Sequence, residues 1–234
     1  MNQTITIFKK EFKSYFVSPI AYIVISVFLL ATGFFFFRNF FIYKQADLRE
    51  FFALLPFTFA LIVPAITMRL FSEEMNVGSY ETLMTMPVTV NDVIFGKFMA
   101  AVVFIAAMLV PTLSYPIFIS FLGQLDWGPV IGGYTGAILL GASFSAIGIF
   151  TSSLTRNQII AFIIGVAICL TLAIISIMLI YLTGEKIKIL QYIGAGFHFQ
   201  NISKGIIDTR DIMYFVSLIF VSLHGTNLVM KRKN

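Results

Sequence analysis

The 234-residue sequence has few charged residues and a single cysteine. Charged residues make up 12% of the chain, against roughly 25% in typical soluble domains. Cys169 lies inside an apolar run, so the sequence offers no disulfide framework and no cysteine-based metal cluster. This composition excludes both an ordinary soluble domain and a small disulfide-stapled one.

The sequence also lacks the common catalytic motifs. The nearest fragment to a phosphate-binding loop is Gly96-Lys97, but Phe98 follows it and Asn91 stands where the first glycine should be. A zinc-protease His-Glu-x-x-His, a Gly-x-Ser-x-Gly elbow and paired carboxylates on one apolar helix are missing too. We therefore expect no catalytic residues, no metal site and no cofactor bound by this chain itself.

The formal net charge of +5 does not indicate a nucleic-acid partner. The basic residues are spread over several polar links, and no basic face with interleaved aromatic residues is present. Charge at a membrane surface is the better interpretation.

Apolar residues dominate what is present: 59% of the chain is hydrophobic, with a mean hydropathy of +0.93. A membrane-spanning helix needs about 20 mostly apolar residues. Six runs meet this requirement, and they predict an all-α integral membrane protein with a single domain over residues 1–234. The runs are Ile20–Phe37, Ala53–Met68, Phe98–Leu122, Val130–Leu154, Ile159–Leu182 and Ile212–Met230.

Basic residues near the two ends predict the orientation. With six crossings both termini lie on one side, and the positive-inside rule places that side in the cytoplasm. The residues concerned are Lys9, Lys10, Lys13, Lys231, Arg232 and Lys233.

The first 18 residues predict an interfacial elbow helix. Ile5, Phe8, Phe12 and Phe16 recur at helical spacing, and three lysines lie elsewhere on the helical wheel. Ser18-Pro19 then ends this helix, because proline disfavours helix in the residue before it.

Small residues recur every three or four positions in the fourth run, and they predict close helix packing. The pattern does not decide whether the partner helix belongs to the same chain or to a second subunit. The residues are Gly133, Ala137, Gly141, Ser145 and Gly148.

The link at residues 183–211 is too apolar for a solvated loop, and it predicts a re-entrant or interfacial segment before the last span. His198 within it has no second metal ligand at a useful spacing. We expect this histidine to be structural.

The polar hairpin at residues 70–96 holds the densest cluster of acids. Ser79 is predicted to cap a short helix that carries Tyr80, Leu83 and Met84 on one face and ends at Pro87. Thr89 to Asp92 predict a capping box that opens the next helix. These residues alone leave two interpretations of the hairpin: it transmits motion between two spans, or it packs on the membrane surface.

Three stretches resemble type-2 ABC transporter permeases. The hairpin contributes Arg69-Leu-Phe-Ser-Glu-Glu, Gly78-Ser-Tyr-Glu-Thr-Leu, Met86-Pro-Val-Thr and Phe95-Gly-Lys-Phe. The others are Phe12-Lys-Ser-Tyr-Phe-Val-Ser-Pro-Ile-Ala-Tyr and the stretch from His198 to Phe215. Together they are similar to GldF-type gliding-motility permeases and to NosY-type permeases.

The resemblance implies a coupling helix in the cytoplasmic loop after the second span. It implies that two permease subunits pair in the bacterial inner membrane, as a homodimer or a heterodimer. Each would dock on a cytoplasmic ABC ATPase that binds ATP and Mg²⁺. The implied function couples ATP hydrolysis to transport or mechanotransmission, with a link to gliding motility. The ATPase-contacting or supporting residues carried over are Glu73, Glu74, Gly78, Tyr80, Glu81 and Leu83.

Two other functions stay open at this stage. A passive membrane scaffold would assemble a larger complex through the small-residue face of the fourth run. An ion-coupled secondary transporter would need an ionisable residue inside a span, and Arg69 is the one marginal candidate that the predicted runs offer.

Overall fold

The computed structural model describes residues 3–43, 47–178, 192–206 and 208–233, and this part of the chain contains helices and no strand. A 3-10 turn, Val110–Leu113, joins α6 to α7. The helices are α1 Gln3–Val17, α2 Pro19–Tyr43, α3 Arg49–Thr67, α4 Arg69–Val77, α5 Ser79–Met84, α6 Val90–Leu109, α7 Ser114–Leu122, α8 Trp127–Leu154, α9 Gln158–Met178, α10 Ala195–Ser203 and α11 Thr209–Lys233.

In the described part of the chain, six helical segments are long and apolar enough to cross a membrane, which confirms the predicted all-α class with six spans. The bounds differ from those predicted, because two spans extend into the polar hairpin. The end of the fifth predicted run, from residue 179, lies outside the described residues. The six segments are Pro19–Ile42, Arg49–Val77, Val90–Leu122, Trp127–Leu154, Gln158–Ile175 and Thr209–Lys233.

The long helix α8 lies at the centre of the bundle and packs against α3, α6, α9, α10 and α11. Small residues allow this approach, because larger side chains would collide with the neighbouring helices. A Cβ atom added to Gly133 would lie 2.2 Å from the Phe52 ring, and one added to Gly148 would lie 1.9 Å from the Thr67 hydroxyl. Gly141 meets Ile105 of α6 in the same way.

The predicted small-residue face therefore packs inside the chain. Ala137 and Ser145 of that face are fully buried as well. This face is not available as the docking surface that a scaffold would need.

The elbow helix α1 ends before Pro19 and packs along α6. Ile7 faces α6, and a Cβ atom on Gly96 would lie 2.8 Å from the Ile7 side chain. Most of the apolar stripe that the sequence predicts lies away from this contact, since Phe8 stacks on Phe12 and Ile5 is 46% exposed. Phe16, at the end of the stripe, instead packs against the Phe104 ring of α6, at 5.7 Å between centroids. The helix thus has one face for protein and a separate apolar face, as an interfacial helix requires.

The short helix α10 is buried among α3, α8, α9 and α11. It has nine residues and is about 14 Å long at 1.5 Å per residue, less than half of the roughly 30 Å hydrocarbon core. Residues 183–191 and 207 of the predicted outer segment lie outside the described residues. A re-entrant segment must keep its backbone polar groups hydrogen-bonded and away from lipid, and a short helix enclosed by protein meets this requirement.

The bundle has two distinct ends, which we name after their short helices. At the α10 end, the backbone of Gly205 approaches Gly128 and Gly132 at the start of α8. At the α5 end, α4 packs against the last turns of α8. Both termini of the described chain lie at the α5 end, since Gln3 donates a hydrogen bond to the Pro87 carbonyl and Lys233 donates to the Ser153 carbonyl.

Candidate functional site

The six-residue helix α5 stands between the ends of the second and third spans. Gly78 connects it to α4 in the left-handed conformation, with φ of 78°. Glycine reaches this conformation without the steric cost that a side chain carries. The predicted N-cap role of Ser79 is wrong, because Gly78 occupies the cap position and the Ser79 hydroxyl donates instead to the Glu74 carbonyl at 3.4 Å.

One face of α5 is turned into the protein. Tyr80 is 5% exposed and makes an edge contact with the Phe71 ring of α4, at 6.2 Å between centroids. Leu83 and Met84 pack on the same apolar cluster. The shared face that the sequence predicts is real, but it anchors α5 rather than presenting it to a partner.

Burial and the nearby Glu74 carboxylate raise the pKa of Tyr80 above its ordinary value, so this side chain stays a neutral phenol. Its hydroxyl finds no hydrogen-bond partner among the described residues. Tyr80 therefore acts chiefly through the packing of its ring.

The other side of α5 is exposed, and it comprises Ser79, Glu81, Thr82 and Thr85. Met86 follows at 56% exposure. This surface combines one acid, several hydroxyls and one flexible apolar side chain.

A capping box opens α6, as predicted. The Thr89 hydroxyl accepts a hydrogen bond from the Asp92 amide, and the Asp92 carboxylate accepts one from the Thr89 amide, each at 3.2 Å. Two helix-end donors are satisfied at once by this arrangement. The second Asp92 oxygen accepts from the Thr4 hydroxyl at 2.7 Å, which ties the start of α1 to the same turn.

A buried ion triad joins three helices behind α5. Lys97 of α6 is 1% exposed, and its ammonium lies 2.7 Å from a Glu74 oxygen of α4 and 3.2 Å from a Glu11 oxygen of α1. The ammonium also lies 5.3 Å from the centroid of the Phe71 ring. Charge taken out of water is costly unless it is paired, and two carboxylates meet that need here.

Sequence reasoning missed this role of Lys97, because the predicted third run began at Phe98 and left the lysine in the loop. The structure begins the helix at Val90, so that Lys97 lies inside a long apolar segment. An ionisable residue within a span is the signal that would have found it. The neighbouring Gly96 completes the arrangement by letting α1 approach closely.

A second polar contact pins the joint between α3 and α4. The Ser152 hydroxyl of α8 donates to the Met68 carbonyl at 2.7 Å and accepts from the amides of Phe71 and Ser72, each at 3.0 Å. These amides belong to the first turn of α4, where helix donors lack partners within the helix. One side chain of α8 thus supplies a cap for a helix in another span.

Sequence comparison agrees with this architecture. The model of the ABC-2 family transporter proteins matches residues 5–221, most of the 234-residue chain. The chain belongs to the ABC-2 transporter family. No curated protein matches it by sequence. As an ABC-2 permease subunit it is a multi-pass membrane protein, and the family implies work with an ABC ATPase.

In this ABC-2 permease, the residues predicted to contact or support an ATPase fall into two groups. Glu81 is exposed, and Glu73 is half-exposed and paired with Arg69 at 3.3 Å. Tyr80 and Glu74 point inward, Leu83 is half-buried and Gly78 forms the turn. Only the first group lies where a partner protein would touch it directly.

At the α10 end, the permease buries a histidine–aspartate pair. His198 Nδ1 lies 2.5 Å from an Asp211 oxygen, and Nε2 lies 3.0 Å from the Tyr192 carbonyl. The Tyr214 ring stacks on the imidazole at 4.1 Å between centroids. Both ring nitrogens of His198 thus have partners within the chain, and sequence reasoning missed Asp211 because it lies 13 positions from His198. No group of three or more metal-ligating side chains occurs among the described residues.

Proposed function

We propose that this permease subunit couples ATP hydrolysis by a separate ABC ATPase to movement of its spans, with α5 as the coupling helix. The observation that carries the proposal is the two-faced placement of α5. Glu81 and Thr82 face outward, while Tyr80 on the opposite side is packed against α4. An ATPase that moves α5 therefore also moves the helices to which it is attached.

The contacts behind α5 provide a path for that motion. Gly78 and the Tyr80–Phe71 contact join α5 to α4. Lys97 links α4 to α1 and α6, and Ser152 links α4 to the central helix α8. Packed helices joined by such discrete contacts move as units.

The proposal extends to the orientation and the assembly. We place the α5 end and both termini in the cytoplasm of a bacterial inner membrane, since the terminal lysines lie there. Two permease subunits, alike or different, would pair, and each would meet one ATPase that binds ATP and Mg²⁺. The three motif stretches favour GldF-type or NosY-type permeases, with gliding motility as one context for mechanotransmission.

Charge reversal at Glu81 tests the coupling role. In proteoliposomes that contain the ATPase purified with this chain in mild detergent, we expect Glu81→Lys to reduce both ATPase binding and permease-stimulated hydrolysis. Glu81 is exposed at the α5 end of the bundle, so its replacement should leave the thermal unfolding midpoint of the permease unchanged.

Lys204→Glu is the matched control, because it reverses an exposed charge at the α10 end. This variant should bind the ATPase and stimulate ATP hydrolysis as the original chain does. Equal binding and equal stimulation by all three proteins would refute α5 as the coupling helix.

A further inference from the structure

A cavity of about 270 Å³ lies beneath the elbow helix, between α1, α2, α3, α4 and α6. One wall is apolar and is formed by Ile20, Ala21, Val24, Ile66 and Phe104. The charged residues in the lining are Lys10, Glu11, Arg69, Glu73, Glu74 and Lys97. Three acids and three bases thus line the cavity, which suits a molecule that carries both charges and an apolar portion.

Two residues that line this cavity each have a buried side-chain oxygen with no hydrogen-bond partner among the described residues: Glu74 Oε2 and the Tyr15 hydroxyl. Lys97 engages the other Glu74 oxygen at 2.7 Å. A buried carboxylate oxygen left without a donor is costly. A group with several N–H donors could satisfy both oxygens, and a primary ammonium has three.

The outer part of the cavity offers sites for an anion. Arg69 contacts Glu73 through Nε, and its guanidinium has further donors. The Lys10 side chain is 67% exposed. Arginine and lysine are the usual partners of phosphate groups.

We propose that this cavity binds the head group of an aminophospholipid such as phosphatidylethanolamine. The ammonium lies against Glu74 Oε2 and the Tyr15 hydroxyl, and the phosphate lies near Arg69 and Lys10. The acyl chains follow the apolar wall of α2, which begins at Pro19 where the first span starts. The volume is near the lower end for small-molecule pockets, about 300 Å³, and it suits a head group rather than a whole lipid.

Native mass spectrometry of the purified full-length chain tests the site. The probes are phosphatidylethanolamine and phosphatidylcholine with identical acyl chains, because the choline head group keeps the positive charge but has no N–H donor. We expect about tenfold stronger retention of the ethanolamine lipid, the effect of one charge-assisted hydrogen bond.

Two variants locate the effect. Glu74→Gln should abolish the preference for ethanolamine, and Tyr15→Phe should reduce it without touching the Lys97 ion pairs. Tyr22→Phe is the matched control, because Tyr22 is 58% exposed on α2 and does not line the cavity. Its lipid preference should be unchanged.

Equal retention of the two lipids, or a preference that survives both Glu74→Gln and Tyr15→Phe, would overturn the proposal. Competition with soluble glycerophosphoethanolamine distinguishes a site for a lipid from a site for a free head group. It should fail to displace the bound lipid, since it lacks the acyl chains that cover the α2 wall. Displacement at equal concentration would refute the lipid assignment.

Discussion

Single buried polar residues hold the α5 end of this permease together. Lys97 pairs with two carboxylates from different helices, and Ser152 makes three hydrogen bonds across one helix joint. Each of these residues stabilises the fold only through its partners, because a buried charge or hydrogen-bond donor that lacks a partner lowers the stability.

Replacing Lys97 tests the ion triad. We expect Lys97→Met to destabilise the fold by about 3–5 kcal/mol, because Glu74 then loses its ion pair and Glu11 keeps only its 3.8 Å contact with the exposed Lys10. The midpoint of thermal unfolding in mild detergent measures this loss. Lys13→Met, which removes an exposed lysine from α1, is the control and should melt unchanged.

A compensated variant separates charge from packing. Combining Lys97→Met with Glu11→Gln and Glu74→Gln removes all three charges, and it should recover most of the lost stability. If this triple variant melts no higher than Lys97→Met alone, the unpaired charges are not the cause.

At the scale of elements, the α3–α4 joint is the point where the second span changes from membrane helix to coupling segment. The helix is interrupted at Met68, and Ser152 of α8 bridges the interruption. Ser152 attaches this joint to the central helix, so its hydroxyl should help to transmit displacement between α4 and α8.

Removing the Ser152 hydroxyl should loosen the joint. In Ser152→Ala, two α4 amides lose their acceptor, which costs about 1–3 kcal/mol. We expect faster hydrogen–deuterium exchange at Phe71 and Ser72, measured by mass spectrometry of a peptide that contains α4.

Ser153→Ala is a closely matched control, because the Ser153 hydroxyl is also buried but donates only within its own helix, to the Phe150 carbonyl at 2.7 Å. Its exchange at α4 should match the original chain. Equal exchange in both variants would show that Ser152 does not hold the joint.

At the scale of the whole molecule, the two ends of the bundle are built differently. The α5 end exposes a short helix between two spans, whereas the α10 end buries its short helix against α8. Such asymmetry fits a subunit that receives motion on one side of the membrane and responds on the other.

Cysteine labelling checks which end faces the cytoplasm. The native Cys169 is fully buried and does not interfere. In intact spheroplasts, a membrane-impermeant maleimide should label Lys204→Cys at once, and it should label Glu81→Cys only after permeabilisation. The reverse order of labelling would invert the proposed orientation.

The sequence alone determined the class and the number of spans, because apolar runs of the right length are a local property of the chain. It also determined the capping box at Thr89, which depends on residues three positions apart. The motif stretches pointed to the family that the comparison then showed for residues 5–221.

The tertiary structure decided which residues meet across the helices. Lys97 and Glu11 lie 86 positions apart, and Ser152 and Met68 lie 84 apart, so no local pattern links them. The inward face of α5 and the intrachain use of the small-residue face were decided in the same way. Periodicity shows that a helix has a distinct face, but only the packed bundle shows what covers that face.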